Sequence, residues 1–79
     1  MNFNERQEDI GKLEQELIKY GESKQYIMQL KLGYVEMINE LNDMNTVGDV
    51  MNSYYDHLLN IAKVKYYGEL SDYWKEQIK

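Results

Sequence analysis

Apolar side chains recur along the first half of the chain at the spacing of an α-helix. Four of them are separated by three, four and three positions and share one face: Ile10, Leu13, Leu17 and Tyr20. A second face is formed by Ile27, Leu30, Tyr34, Met37 and Leu41. The two faces differ in phase, and the change falls near Gly21. We therefore predict two helices, at about 4–20 and 22–42, with one long helix kinked at Gly21 as the alternative.

The second half of the chain carries a wider apolar surface. Its main face consists of Val47, Val50, Met51, Tyr54, Leu58, Ile61 and Ala62. Tyr55, Leu59 and Tyr66 widen this face so far that the helix must be covered on more than one side. We therefore predict a central helix at about 46–67. A short last helix, at about 69–78, carries Tyr73, Trp74 and Ile78.

Small polar residues are expected to start two of these helices, and the sequence contains no proline. Asn4, followed three positions later by Gln7, has the pattern of an amino-terminal capping box. Residues 42–45 form the strongest loop signal in the chain. Thr46 and Asp49 then repeat the capping pattern, so a new helix is expected to begin at Thr46.

Glycine and serine mark the other expected boundaries. Gly68 is expected to end the central helix, and Ser71 to start or continue the last one. Gly33 lies inside the second apolar pattern, where it is expected to mark a close approach of two helices. The predicted fold class is all-α, a small antiparallel bundle of three to four helices, with residues 1–79 as a single domain.

Composition and charge limit the kinds of function that this chain is expected to have. A chain of 79 residues without cysteine has neither disulfides nor a thiolate zinc site, so helix packing or association must stabilise it. The net charge of −5 argues against direct binding to nucleic acid or to anionic membranes. No stretch is apolar enough for a membrane span, and the first residues do not resemble a signal peptide. We expect a cytoplasmic location, in a bacterial cell or an infected host cell.

Motifs for catalysis, metal binding and cofactor binding are lacking. His57 is the single histidine, so the paired Glu-x-x-His pattern of a di-metal helical bundle is absent from the sequence. Helix capping and turns explain the positions of Ser23, Ser53 and Ser71. The glycines are too far apart to form a phosphate-binding loop. We therefore predict no enzyme activity, no metal and no cofactor.

Tyrosine is unusually frequent, with eight in 79 residues. The adjacent pairs Tyr54–Tyr55 and Tyr66–Tyr67 cannot bury both members on one helix face, because neighbours point about 100° apart. Together with Trp74, these tyrosines have the composition of a protein-binding hot spot. Tyrosines at the edge of the core, with their hydroxyls outward, are the alternative interpretation.

Acidic residues suggest a second contact. Glu36, Glu40 and Asp43 are spaced four and three positions apart, so they project from one helix face. Such a stripe would complement the basic cleft of a nucleic-acid enzyme, as a DNA mimic does. A solvated face without a binding role is the alternative.

These features favour a non-catalytic protein-binding module. The composition, rich in Asn, Lys, Ile and Tyr, is like that of small proteins of phages and mobile elements. Our leading hypothesis is a regulator or phage-encoded inhibitor of a larger host enzyme or defence complex, of the anti-restriction or anti-CRISPR type. A self-assembling coiled-coil homo-oligomer, such as a homodimer, is the first alternative. A small helical DNA-binding regulator is the second, disfavoured by the small number of lysines.

Overall fold

Four α-helices make up the part of the chain that the computed structural model describes, residues 3–40 and 44–78. They are α1 (Phe3–Tyr20), α2 (Lys24–Asn39), α3 (Met44–Lys65) and α4 (Asp72–Ile78). A 3₁₀ turn, Tyr67–Glu69, lies between α3 and α4. The predicted all-α fold is confirmed. The alternative of one long helix through Gly21 is wrong, because α1 ends one residue before it.

The end of α1 is set by Gly21. Its φ of 122° lies in the left-handed region, which glycine adopts without steric cost. The Gly21 N–H donates to the Ile18 carbonyl at 3.1 Å, and the Glu22 N–H donates to the Leu17 carbonyl at 2.9 Å. These are the two hydrogen bonds of a Schellman motif, and they satisfy carbonyls that would otherwise lack partners at the helix end.

The predicted helix starts are partly wrong. Ser23 caps α2, since its hydroxyl accepts the Tyr26 N–H at 3.2 Å. By contrast, α1 begins at Phe3, which places Asn4 inside the helix. Thr46 is also inside a helix, because α3 begins at Met44. Residues 42 and 43 of the predicted loop lie outside the described residues.

Three predictions from glycine and serine positions remain, and two of them are also wrong. The central helix ends at Lys65, so Gly68 lies in the 3₁₀ turn and does not cap α3. Gly33 has no other element within 4 Å of the position a Cβ would occupy, and it therefore marks no close approach. Ser71 does directly precede α4, as predicted.

The helix α3 is central, as its wide apolar face predicts. The other helices all pack against it. Tyr54 contacts the ring of Tyr34 in α2, and Tyr55 contacts the ring of Trp74 in α4. The buried apolar cluster consists of Ile10, Leu13, Leu17, Ile27, Val47, Met51, Tyr54, Tyr55, Leu58, Ile61, Ala62, Leu70 and Trp74. None of the described helices has the length and apolar character needed to span a membrane.

Candidate protein-binding surface

The second helix carries most of the exposed apolar surface. Ile27 is its only buried residue. Eight large apolar side chains are exposed in the described part of the chain, and five of them belong to α2: Tyr26, Met28, Leu32, Val35 and Met37. We call these five residues the α2 surface. Scattered exposed apolar residues are ordinary, but a group on one helix is typical of a contact site.

The α2 surface covers two flanks of the helix, on either side of Ile27. At about 100° per residue, Leu32 lies about 140° from Ile27 in one direction and Met37 about 80° in the other. Met28, Leu32 and Val35 share the first flank, and we call these three the outer stripe. The apolar sector of α2 is therefore wider than the part that α3 covers.

A groove of about 470 Å³ lies beside this surface, between α1 and α2. Its apolar lining comes from three helices: Ile10, Val35, Ile38, Val47 and Met51. Val35 belongs both to the groove and to the outer stripe. The groove and the outer stripe consequently form one continuous apolar region.

The groove lining also includes a buried carboxylate, whose charge is offset by a lysine of the same protein. The buried Glu14 carboxylate accepts the Tyr54 hydroxyl at 2.5 Å, and the Lys31 ammonium lies 3.4 Å from it. Burial raises the pKa of Tyr54, and its hydrogen bond to Glu14 raises that pKa further, so Tyr54 stays a neutral donor. Because Lys31 offsets the charge of Glu14, the groove is suited to apolar contact rather than to binding of an ion.

Other tyrosine hydroxyls also bind buried carboxylates within the protein. The Tyr73 hydroxyl donates to Asp9 at 3.0 Å. The Tyr66 hydroxyl donates to Glu22 at 3.4 Å, and the Lys65 ammonium pairs with the same carboxylate at 3.2 Å. Asp9 and Glu22 are both buried. Much of the unusual tyrosine content therefore joins helices together instead of forming a surface.

Three of the predicted contact residues are in the core. Tyr54, Tyr55 and Trp74 are only 4%, 3% and 4% exposed, so the structure places them in the core and not on an exposed surface. The reason is that α3 is covered on both sides, which buries both members of the adjacent pair. The Arg6 guanidinium also covers the Tyr55 ring, 4.0 Å from its centroid.

The other predicted contact residues lie on separate elements. Tyr66 is half-buried against the ring of Tyr20, at a centroid distance of 6.0 Å. Tyr67, in the turn before α4, is 51% exposed. Glu36, on the polar side of α2 next to the outer stripe, and Glu40, directly after the helix, are both exposed. Asp43 lies outside the described residues.

The outer stripe was not predicted from the sequence. Met28, Leu32 and Val35 are apolar, but they fall outside the apolar face predicted for the second helix. This mismatch could have indicated the surface, because apolar residues beyond the core-facing stripe must either be exposed or be covered by another element or molecule.

The described residues include few side-chain arrangements that suggest catalysis or metal binding. His57 is half-buried, and its Nδ1 lies 3.3 Å from the Tyr34 hydroxyl. In residues 3–40 and 44–78, no three His, Cys, Asp or Glu side chains are arranged to hold a metal ion. No family model, curated protein or solved structure matches this chain.

Proposed function

We propose that this chain is a non-catalytic protein-binding module that occupies a surface of a larger protein through the α2 surface. The observation that carries this proposal is the contrast within α2, which buries one residue and exposes five large apolar ones. Covering such side chains releases about 25 cal/mol per Å² of apolar area removed from water. The exposed side chains of α2 add little to the stability of this fold. Burying them against a partner protein would instead add to the affinity for that partner.

The groove supports the same proposal. A groove lined by apolar side chains accepts an amphipathic helix, whose residues at positions i, i+4 and i+7 enter it. Val35 lines the groove and belongs to the outer stripe, so a partner helix in the groove would contact the α2 surface at this residue. Because α1 and α3 form the rest of the lining, the site is built on helices rather than on loops.

The small size and the composition of the chain favour an inhibitor or regulator encoded by a phage or mobile element, acting in the cytoplasm on a host enzyme or defence complex. Recognition by an acidic, DNA-like face has weaker support. Glu36 and Glu40 are exposed, but Asp9, Glu14 and Glu22 are buried and bonded within the protein. Apolar contact through α2 is therefore favoured over charge mimicry.

The test is affinity capture of the target protein with variants that place one charge on each flank of α2. Leu32→Glu alters the outer stripe and Met37→Glu the opposite flank. Asn60→Asp is the control, since it adds the same charge at an exposed position of α3. We expect wild type and Asn60→Asp to retain one stoichiometric partner at both low and high salt, and at least one α2 variant to lose it.

Circular dichroism of each variant shows whether the helices remain. Equal retention of the partner by wild type, both α2 variants and the control would contradict a role for the α2 surface. Loss of the partner from wild type at high salt, and from a Glu36→Gln, Glu40→Gln double variant at low salt, would instead indicate the acidic mode of binding.

A further inference from the structure

The outer stripe has the spacing of a coiled-coil seam. Met28, Leu32 and Val35, followed by Asn39, are separated by four, three and four positions. This is the alternation of d and a positions in a heptad repeat. The three apolar side chains are 60%, 56% and 38% exposed, and Asn39 is exposed as well. The seam is therefore formed on α2 but is not covered by the rest of the molecule.

The charges beside this seam are complementary to those of a second copy. Lys24, Lys31 and Ile38 occupy the g positions of this register, and Gln29 and Glu36 occupy the e positions. In a parallel pair, each g residue faces the e residue five positions later on the other helix. Lys31 would then face Glu36 of the second copy, and the symmetry of the pair repeats this contact.

The same charges disfavour an antiparallel pair. Antiparallel helices place the g row of one copy against the g row of the other, so Lys24 and Lys31 would face no acidic residue. An asparagine at an a position also favours a defined register, which Asn39 would supply at the end of the seam. The Lys31–Glu36 pairing therefore favours the parallel arrangement, and Asn39 favours the aligned register within it.

We propose that the outer stripe binds a second copy of this chain, through a parallel α2–α2 contact about a two-fold axis. This inference goes beyond the proposed function, because it assigns the outer stripe to a second copy and leaves the opposite flank of α2 to the larger protein. Lys31 already contacts Glu14, but its side chain is 51% exposed and an ammonium has three donors. It therefore has room for Glu36 of the second copy while it keeps Glu14.

The seam is short, which limits the expected affinity. From Met28 to Asn39 it extends about 17 Å at 1.5 Å per residue. This length buries less than the roughly 800 Å² per partner of a standard interface, so the dimer is expected to be weak and reversible. Tyr26 and Met37, on the opposite flank of α2, remain exposed in the dimer for another protein.

Sedimentation equilibrium, from about 5 µM to about 1 mM, covers the range where a weak dimer forms. We expect the wild-type mass to rise from that of a monomer toward that of a dimer. Leu32→Glu should stay monomeric throughout. Val64→Glu is the matched control, because Val64 is an apolar residue of α3 that is 74% exposed, and it should behave as wild type. A wild type that remains monomeric, or a Leu32→Glu variant that still dimerises, would overturn the proposal.

Charge exchange tests the Lys31–Glu36 contact. Lys31→Glu and Glu36→Lys each place like charges across the seam, so each variant alone should dimerise about tenfold more weakly. An equimolar mixture should form a heterodimer with an affinity near that of wild type, because both facing pairs are then of opposite sign. A mixture no more associated than the separate variants, with both variants helical by circular dichroism, would contradict the register.

The orientation is tested by cross-linking, for which the absence of natural cysteine is convenient. Asn39→Cys should form a disulfide-linked dimer on mild oxidation, since a parallel seam places the two copies of this position side by side. Ser53→Cys, exposed on α3, should not. Cross-linking at neither position, with Leu32-dependent dimerisation, would overturn the parallel contact.

The two proposals fail separately. If wild type is monomeric but Met37→Glu or Leu32→Glu loses the larger partner, the second copy is excluded and the proposed function stands. If the dimer forms as described but no α2 variant loses a larger partner, the self-contact stands and the role in binding a larger protein fails.

Discussion

The first two helices are similar in length, with 18 residues in α1 and 16 in α2, but they relate to α3 in different ways. α1 buries the apolar side chains Ile10, Leu13 and Leu17 and the carboxylates Asp9 and Glu14. α2 buries a single side chain and exposes five large apolar ones. One helix is used to build the core, and the other to present a surface. Substitutions in the two helices should therefore have different consequences.

The largest expected difference is between two leucines. Leu17 in α1 is fully buried, whereas Leu32 in α2 is 56% exposed. Leu17→Ala should lower the free energy of unfolding by about 2–5 kcal/mol, because it removes buried methyl groups and leaves a cavity. Leu32→Ala should change it by no more than about 0.5 kcal/mol. Urea denaturation of both variants, at a protein concentration where the chain is monomeric, makes the comparison; equal losses would mean that α2 belongs to the core.

A smaller loss is expected for the hydroxyl that binds the buried Glu14. Tyr54→Phe keeps the ring but removes this donor, so the carboxylate loses its shortest hydrogen bond. The free energy of unfolding should fall by about 1–3 kcal/mol, the usual cost of an unsatisfied buried polar group. Tyr67→Phe is the control, since Tyr67 is 51% exposed and should tolerate the change. Equal stability of the two variants would show that the Glu14 contact contributes nothing.

Alkaline pH should lower the free energy of unfolding through two tyrosines, Tyr55 and Tyr20. Burial, with the charge of Asp9, raises the pKa of Tyr55 to about 12, and burial with the Glu16 hydrogen bond raises that of Tyr20 to about 12. Unfolded tyrosine titrates near pH 10. Stability from these groups is complete below about pH 10 and is lost as the pH rises toward about 12. Denaturation midpoints measured across this range should fall, and less steeply in Tyr55→Phe.

Acidic pH should lower the stability of the fold through Glu22, which lies at the junction of α1 and α2. Burial alone would raise the pKa of its carboxyl, but the Ser23 N–H, the Lys65 ammonium and the Tyr66 hydroxyl together lower it. A lowered folded-state pKa gives stability that is present above the unfolded value of about 4.3 and lost as the pH falls below it. Glu22→Gln should be less stable than wild type at pH 7, and the difference should shrink toward pH 3. A constant difference would exclude this contribution.

The helices could be predicted from the sequence because each one depends on residues that are close together in the chain. The spacing of Ile10, Leu13 and Leu17 fixes the buried face of α1, and Gly21 fixes its end. The starts at Asn4 and Thr46 were wrong because a capping residue acts only if the helix begins there, and both helices begin one or two residues earlier.

The candidate surface could not be derived in the same way. Burial of both Tyr54 and Tyr55 depends on which helices flank α3, and this is a tertiary property. The Tyr54–Glu14 hydrogen bond joins residues 40 positions apart, and no local pattern indicates such a pair. The exposure of Leu32 likewise follows from how α2 lies on α3, since its own sequence would allow either flank to face inward.

The smallest expected effect is a gain in stability within α2. Gly33 lies inside the helix, and a Cβ added there meets nothing within 4 Å. Gly33→Ala should therefore stabilise α2 by about 0.5–1 kcal/mol, because alanine loses less backbone entropy in a helix. Gly21→Ala is the matched contrast and should destabilise, since its φ of 122° strains any residue with a Cβ.

Hydrogen exchange shows where the gain from Gly33→Ala appears. If α2 unfolds together with the core, the global free energy of unfolding should rise by the same amount. If α2 opens by itself, as its single buried residue indicates, the gain should appear as slower exchange of α2 amides, with little change in α1 and α3. We expect the second result. The first result would mean that α2 unfolds together with the core, as α1 does. The two helices would then differ in the surfaces that they expose and not in their stability.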